Sequence, residues 1–233
     1  MIIGRERYWK KVRKEELSKN LFLIYLDKVL LKTDQGNEVS VSERLAEELV
    51  KEWSVEGKVE AIKKSFFTKF CFSASDITKS EREAVLGSLT EYGNCDSICY
   101  IADEPTKLHL KQKDLYKPVI DWAEKFFSIK LNIGTGLLFI EQPSLNANII
   151  KKYLEELDNF HLTAIHELTK SLGSLFTCLA LYKKVISPEH AWEVANVEDN
   201  FRIEVWGKVE EETQKKIVDF DHFKYLVRIL KMI

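Results

Sequence analysis

The sequence predicts an α+β protein in which a small β-containing N-terminal domain precedes a larger, mainly α-helical bundle domain. An apolar, β-prone run lies near the N-terminus, whereas apolar residues in the C-terminal half recur at helical spacing. The length of 233 residues also permits two unequal domains. We therefore predict a β-rich domain with one helix over residues 1–75 and a helical domain over residues 76–233.

The N-terminal strands are predicted from the run at residues 21–33, which is apolar and rich in β-formers. Residues 34–37 read Asp-Gln-Gly-Asn, a composition typical of turns, and the apolar alternation resumes at Val39 and Val41. This arrangement predicts a hairpin.

A helix is predicted directly after the hairpin, because Ser40 and Glu43 have the spacing of a capping box. Apolar residues then recur on one helical face: Leu45, Ala46, Leu49, Val50 and Trp53. An aromatic segment at residues 66–72 has an ambiguous period. Asp76 is expected to cap another helix, which ends near Gly93.

The middle of the chain predicts a short strand at residues 97–101, stopped by Glu104-Pro105. A long helical segment follows over residues 108–126, and Pro118 is expected to bend or interrupt it. Residues 129–140 are either one more strand or an extended linker, since their glycines disfavour both.

The remaining chain predicts an antiparallel helical bundle. Apolar residues occur at three- and four-residue steps in four segments: residues 145–157, 162–185, 188–206 and a last one ending at Ile229. Pro188 after Ser187 is a favourable helix start, because proline in the first turn loses no hydrogen bond.

The composition argues against several classes of protein. The 35 basic and 37 acidic residues give a net charge of -2, which offers no overall attraction for nucleic acid. Four irregularly spaced cysteines predict reduced, mostly buried thiols. No apolar run reaches the roughly 20 residues that a membrane span needs. The best candidate, at residues 21–31, is broken by Asp27 and Lys28.

Motifs for cofactor chemistry are not evident. The Gly134-Thr135-Gly136 segment lacks the third glycine of a dinucleotide fingerprint. His161 and His166 are five residues apart, so on a helix they diverge by roughly 140°. Cys95 and Cys99 have no second pair at zinc-finger spacing, and Ser174 lacks the second glycine of a nucleophile elbow. We expect no cofactor, no metal and a packing role for Ser174.

An acidic and aromatic cluster ends the predicted helix over residues 188–206. Its charged and aromatic members are Glu198, Asp199, Phe201, Arg202, Glu204 and Trp206. Paired carboxylates could perform acid-base chemistry, for example in a hydrolase or transferase that also uses His166 or His190. In the plain alternative, Glu198 and Arg202 form a solvated helix pair while the two aromatic residues pack inward.

Several ordered anchors resemble the alpha-subunit-binding assembly chaperones of F-type ATP synthase, the Atp-twelve type of mitochondria and alphaproteobacteria. The resemblance covers roughly residues 5–210 of this chain. Its anchors are Arg7-Tyr8-Trp9-Lys10, Leu26-Asp27, Leu31-Lys32-Thr33, Leu45-Ala46, Glu52-Trp53, Asp96-Ser97-Ile98-Cys99-Tyr100, Glu104-Pro105, Leu110, Gln112, Pro118, Trp122, Ala191-Trp192, Glu198-Asp199 and Trp206-Gly207. The chain departs from the family pattern at Val29, Asp34 and Arg202. It also lacks the family's usual Met-Pro pair, and Ser65-Phe66 stands near that place.

The resemblance implies an ATP-independent chaperone, not an enzyme, that binds the unassembled alpha subunit and releases it to the beta subunit. The residues expected to bind the partner are Glu198, Asp199, Phe201, Arg202, Glu204, Trp206, Asp27 and Gln112. Asp27 could instead fix the hairpin through backbone hydrogen bonds, and Gln112 could bridge the two domains. Trp53, Tyr100 and Trp122 are expected in the core.

Further expectations concern partners and location. We expect a monomer, because no heptad seam is evident, and no bound nucleic acid; a nucleic-acid module using the basic N-terminal segment is a third alternative. Met1 directly precedes the opening family block, which favours a bacterial cytoplasm over a mitochondrial matrix.

Overall fold

The computed structural model describes residues 6–136, 138–207 and 210–233, and the side chains of residues 211–213 lie outside the description. The chain divides into two compact units. The first comprises the described residues up to Arg82 together with Asn159–Thr163 and Arg228–Ile233, and the second comprises Glu83–Asp158 and Ala164–Val227. A small N-terminal sheet and a mainly helical remainder confirm the predicted α+β class. The domain boundary at residue 75 stays a prediction.

The sheet of the first unit has three antiparallel strands in the order β1-β2-β3: Val12–Ser18, Leu21–Leu26 and Val29–Leu30. The apolar run at residues 21–33 contains two antiparallel strands, β2 and β3, because the chain turns at Asp27, whose φ is 54°. The turn predicted at residues 34–37 is confirmed by the hydrogen bond from Gly36 N–H to Thr33 O and by a bridge between Lys32 and Glu38.

The helices of the first unit are α1 (Glu43–Ser54), α2 (Val59–Lys63), α3 (Phe66–Asp76) and the start of α4 (Lys79–Asn94). Ser42, not Ser40, caps α1, and its Oγ accepts from Leu45 N–H. Asp76 ends α3, so its predicted capping role is wrong. A reciprocal pair, Thr78 and Glu81, occupies the start of α4 instead.

Trp53 anchors the core of the first unit, as predicted. Its indole N–H donates to Thr68 Oγ1 at 2.9 Å, and its carbonyl accepts from the Trp9 indole at 2.9 Å. These bonds satisfy buried polar groups beside two large apolar rings, which favours one fixed arrangement of α1 and α3.

The second unit continues from α4 through a 3-10 turn (Ser97–Cys99) and is mainly helical. Its further elements are β4 (Tyr100–Ile101), α5 (Thr106–Phe127), β5 (Gly134–Thr135), α6 (Ser144–Glu155), α7 (Asn159–Leu172), α8 (Leu175–Tyr182), α9 (Pro188–Ala195), α10 (Val197–Trp206) and α11 (Glu210–Leu230). The strands β4 and β5 pair in parallel. The first residues of α7 and the last of α11 belong to the first unit.

Two helices predicted as continuous are divided in the structure. Gly173, with a φ of 67°, and the cap residue Ser174 separate α7 from α8. Asn196 separates α9 from α10. Ser174 therefore caps a helix and does not lie inside one. Ser187 caps α9 with Pro188 in the first turn, which confirms that predicted start.

Helix α5 passes through Pro118 without interruption. Pro118 is exposed, and so is Asp114 one turn earlier, whose carbonyl loses its helical donor. Water can satisfy that carbonyl on this face, and His190 Nε2 lies 2.9 Å from the next carbonyl, that of Leu115. The helix can therefore accommodate Pro118, because the carbonyl of Asp114 that loses its donor lies on an exposed face.

The core of the second unit surrounds α8, whose residues from Leu175 to Leu181 are all buried. Helix α5 packs against α8, α9 and α10. The core also encloses the carboxylate of Asp96, which accepts from Ile98 N–H and from Phe176 N–H, at 3.2 and 3.0 Å. Tyr100 and Trp122, predicted for the core, are partly exposed.

All four cysteines are free, and Cys71, Cys99 and Cys178 are buried whereas Cys95 is exposed. Among the described helices, none combines the length and the apolar character needed to cross a membrane.

Candidate partner-binding site

The sequence of α10 explains its boundaries. Glu198 and Asp199 lie in the first turn, where carboxylates interact favourably with the helix dipole. At the other end Gly207 adopts a φ of 87°, which suits glycine, and its N–H donates to Ile203 O at 2.9 Å. The helix therefore stops directly after Trp206.

Gln112 and Glu198 are brought together by the fold. Gln112 is fully buried, and its Nε2 donates to Glu198 Oε1 at 2.9 Å. Its Oε1 accepts from Ala102 N–H at 2.7 Å, so the bridge lies within the second unit. Burial raises the pKa of nearby Tyr116, and the charge of Glu198 adds to this rise. Gln112 thus fixes the first turn of α10 to the segment before α5.

The other charged residues of α10 form ion pairs, within the helix or with α5. Arg202 was expected to pair with Glu198. Instead it donates to the neighbouring residue, Asp199, at 3.1 Å. Glu204 pairs with Lys107 and lies 3.8 Å from Lys111. The hydrogen bond from Lys107 holds the pKa of Glu204 below its ordinary value. Glu204 is therefore ionised at neutral pH. Asp199 and Glu204 are both exposed to solvent.

The two aromatic residues of α10 behave differently. Phe201 is buried, with 8% of its surface exposed, as the plain alternative predicted. Trp206 is 77% exposed and lies beside the exposed Val205. The inward packing predicted for Trp206 is therefore wrong, and the end of α10 presents a large apolar side chain to solvent.

Asp27 belongs to the first unit, whereas the other seven predicted site residues belong to the second. Its carboxylate accepts from the backbone N–H groups of Lys10 and Lys11 at 2.8 to 3.1 Å. The bonds from Lys11 and Lys10 hold the pKa of Asp27 below its ordinary value. Asp27 therefore joins the chain before β1 to the turn after β2.

The histidines of the catalytic alternative have separate surroundings. His190 Nε2 lies 2.9 Å from Leu115 O, and burial lowers the pKa of His166. Within the described residues, the hydrogen bonds and ion pairs of Glu198 and Asp199 include no histidine. Nor does the described part of the chain gather three His, Cys, Asp or Glu side chains that could hold a metal.

Two apolar residues missed at the sequence level, Leu138 and Phe139, are 81% and 73% exposed. They follow two glycines, Gly134 and Gly136, and lack the apolar–polar alternation of a half-buried strand. This pattern could have indicated an exposed loop. An open cavity of about 470 Å³ lies in the same unit and contains none of the predicted site residues. Its walls include the helix α9 residue Trp192 and the helix α11 residue His222.

Comparison with known proteins gives consistent matches. The model of the family described as ATP12 chaperone protein matches residues 6–124. The mitochondrial protein atp12 of Schizosaccharomyces pombe is 22% identical over 88% of this chain and 75% of its own length. The crystal structure of Atp12 from Paracoccus denitrificans is 26% identical, with a TM-score of 0.86 and 97% of each chain covered.

A putative chaperone from Agrobacterium tumefaciens, Atu1473, also has a similar structure. It is 25% identical to this chain, with a TM-score of 0.83 over 97% of this chain and 85% of its own. The similarity extends over both units of the fold.

Proposed function

This chain belongs to the ATP12 chaperone protein family, and we propose that, as an ATP synthase assembly chaperone, it binds the unassembled alpha subunit and delivers it to the beta subunit. An alpha subunit without its neighbours exposes apolar surface that is buried in the assembled head. Exposed patches of that kind drive aggregation. A chaperone that covers the patch reversibly prevents this loss, and binding energy alone suffices, without nucleotide hydrolysis.

The observation that carries the proposal is the exposed end of α10. Trp206 and Val205 present apolar surface there, and the same helix carries the exposed carboxylates of Asp199 and Glu204. Tryptophan is enriched among residues that dominate binding energy, because its large ring gains much from losing water. Nearby charges mainly set orientation and speed of encounter. The arrangement suits a partner with an apolar patch bordered by basic residues.

The eight predicted residues take two roles in the proposal. Trp206, Asp199, Glu204 and Arg202 contact the partner together with Glu198, which is exposed. Phe201, Gln112 and Asp27 have structural roles, since Phe201 and Gln112 are buried in the second unit and Asp27 is bound by backbone donors in the first. Gln112 orients Glu198 directly.

Co-expression with the alpha subunit of the same organism, with and without the beta subunit, tests the proposal. We expect soluble alpha in a complex that beta displaces. Insoluble, unbound alpha would contradict the proposal. Absorbance of the same preparation detects bound nucleic acid, which the nucleic-acid module requires, and elemental analysis detects a bound metal.

A single variant tests the role of α10. Trp206→Ala should weaken alpha binding at least tenfold, whereas Val218→Ala removes another exposed apolar side chain from the same unit and should leave binding unchanged. Circular dichroism checks that both variants fold. Equal affinities for the two variants would remove Trp206 from the interface.

We also propose that the chaperone is a monomer and works where the unassembled head subunits are found. For a bacterial protein this compartment is the cytoplasm, and for a eukaryotic one it is the mitochondrial matrix. The relatives include both a mitochondrial and a bacterial protein. Sedimentation of the free chaperone measures its oligomeric state.

A further inference from the structure

The loop between Asn132 and Gln142, here named the apolar loop, displays two large apolar side chains at its tip. Leu138 is 81% and Phe139 is 73% exposed, and Ile133 in the same loop is also exposed. Residue 137 lies outside the described residues. Neighbouring exposed apolar side chains of this size are uncommon on a free monomer, and they mark surfaces that bind another molecule.

The base of the apolar loop is closed by reciprocal hydrogen bonds. Asn132 N–H donates to Gln142 Oε1 at 3.0 Å, and Gln142 Nε2 donates back to Asn132 O at 2.8 Å. Asn132 Nδ2 also donates to Glu141 O at 2.8 Å. Gln142 is buried, so its amide is held in place. Loops whose ends meet in this way are compact and frequently functional.

One side of the loop is fixed to the rest of the second unit. Gly134 and Thr135 pair with β4, and Gly136 N–H donates to Ile101 O at 3.0 Å. Ile140 lies directly over Gly134, where an added Cβ would be 2.5 Å from Ile140 Cδ1. The tip is therefore presented from an ordered base, and partner binding needs less ordering of the chain.

Hydrogen bonds join this base to α10. Gly136 is bound to Ile101, the next residue Ala102 is bound to Gln112, and Gln112 is bound to Glu198. The apolar loop is thus connected, through one short segment of the same unit, to the residues that we propose bind the alpha subunit.

The charges beside the loop indicate the chemistry of its partner. Asp103 and Glu104 are exposed directly after Ala102, and Glu141 is exposed at the loop base. An apolar loop whose base and neighbouring segment carry exposed carboxylates favours an apolar surface with basic residues at its edge. This is the same chemistry that the end of α10 favours.

We propose that the apolar loop is a second contact for the client of this chaperone, and that Leu138 and Phe139 insert into apolar surface of the unassembled alpha subunit. This inference rests on the proposed function, and it extends the interface beyond α10. Two separated apolar contacts on one client raise the effective concentration of each for its site. Release by the beta subunit would then require displacing both contacts.

The test uses the full-length chaperone with purified alpha subunit. The double variant Leu138→Gln, Phe139→Gln should bind alpha at least tenfold more weakly than the wild type. The matched control, Leu17→Gln with Val55→Gln, changes two exposed apolar residues of the first unit and should bind normally. Thermal midpoints check that both variants fold.

A photo-crosslinking amino acid at position 139 gives a second, independent measurement. We expect crosslinks to alpha that disappear when the beta subunit is added. Wild-type affinity in the loop variant, or no crosslink to bound alpha, would overturn this inference alone. Failure of the wild type to bind alpha would overturn the proposed function as well.

The apolar loop could instead bind a second copy of this chain, and sedimentation of the free chaperone tests this alternative. If the wild type self-associates and the loop variant does not, while both bind alpha equally, the loop serves self-association and the inference is wrong.

Discussion

Two carboxylates that belong to the same family resemblance, Asp96 and Glu198, have opposite surroundings within the second unit. Asp96 is fully buried and accepts from backbone donors of Ile98 and Phe176. Glu198 is exposed and accepts from the side chain of Gln112. A residue shared with a family can therefore be part of the core, as Asp96 is, or lie on the surface, as Glu198 does in the proposed binding site.

The largest expected effect concerns the buried carboxylate. Asp96→Ala leaves the buried donors at the start of α8 without an acceptor, which should lower the free energy of unfolding by about 3 kcal/mol. Urea denaturation measures this loss. Asp103→Ala removes an exposed carboxylate and should change stability by less than about 0.5 kcal/mol. Equal stability of the two variants would contradict the assigned role of Asp96.

The pH dependence of stability gives a second test of Asp96. Burial raises its pKa to about 6 from an ordinary value of 3.8, although hydrogen bonds from Ser174 and Phe176 oppose the rise. The folded state therefore binds the proton more tightly than the unfolded state does. The resulting stability is complete below the unfolded pKa and is lost as the pH rises through the folded one.

Relative to Asp96→Asn, which cannot ionise, the wild type should lose about 2 kcal/mol of stability between about pH 4 and about pH 7. Urea midpoints of both proteins across this range measure the difference. A constant difference would show that the pKa of Asp96 is the same in both states.

The exposed carboxylates should affect binding. Glu198→Lys with Asp199→Lys should weaken alpha binding at least tenfold, or about 1.4 kcal/mol, through repulsion of a basic partner. Glu198→Gln with Asp199→Asn removes the charges but keeps an acceptor for Gln112, and should give an intermediate affinity. Titration calorimetry at two salt concentrations measures both. Unchanged affinity after charge reversal would exclude an acidic contact at α10.

Asp27 lies between these two cases, because it is exposed but bound by backbone donors. Asp27→Asn should lower the thermal midpoint at neutral pH without changing alpha affinity, and we expect this effect to be the smallest. Since its pKa is lowered, its contribution is present above the unfolded pKa and is lost as the pH falls through the folded one. A loss of affinity with an unchanged midpoint would instead place Asp27 in the interface.

The sequence predicts the fold class, the helical C-terminal part and the start of α9, because hydrophobic spacing and capping are local properties. It misses β1, since Val12–Ser18 is mostly polar and exposed and lacks an apolar alternation. It also misses the breaks at Gly173 and Asn196, because apolar spacing continues across both positions. Such breaks depend on how the flanking helices pack.

For the candidate site, the sequence predicts which segment carries the charged and aromatic residues but not which of their side chains are exposed. The acidic and aromatic pattern of α10 indicates an interface, yet it gives no reason to bury Phe201 and expose Trp206. That choice depends on which face of α10 packs against α5. The apolar loop is harder still to predict, because Asn132 and Gln142 close it across ten residues.

The buried and exposed cysteines allow local opening of the protein to be measured by thiol labelling. In the folded state an alkylating reagent should reach Cys95 quickly, while Cys71 in α3 and Cys178 in α8 are shielded. Burial also raises the pKa of the Cys178 thiol to about 12, which suppresses the reactive thiolate. The labelling rate of Cys71 therefore measures opening of the first unit, and that of Cys178 measures opening of the second. Comparing the two rates with and without the proposed client would show which unit opens when the client is released.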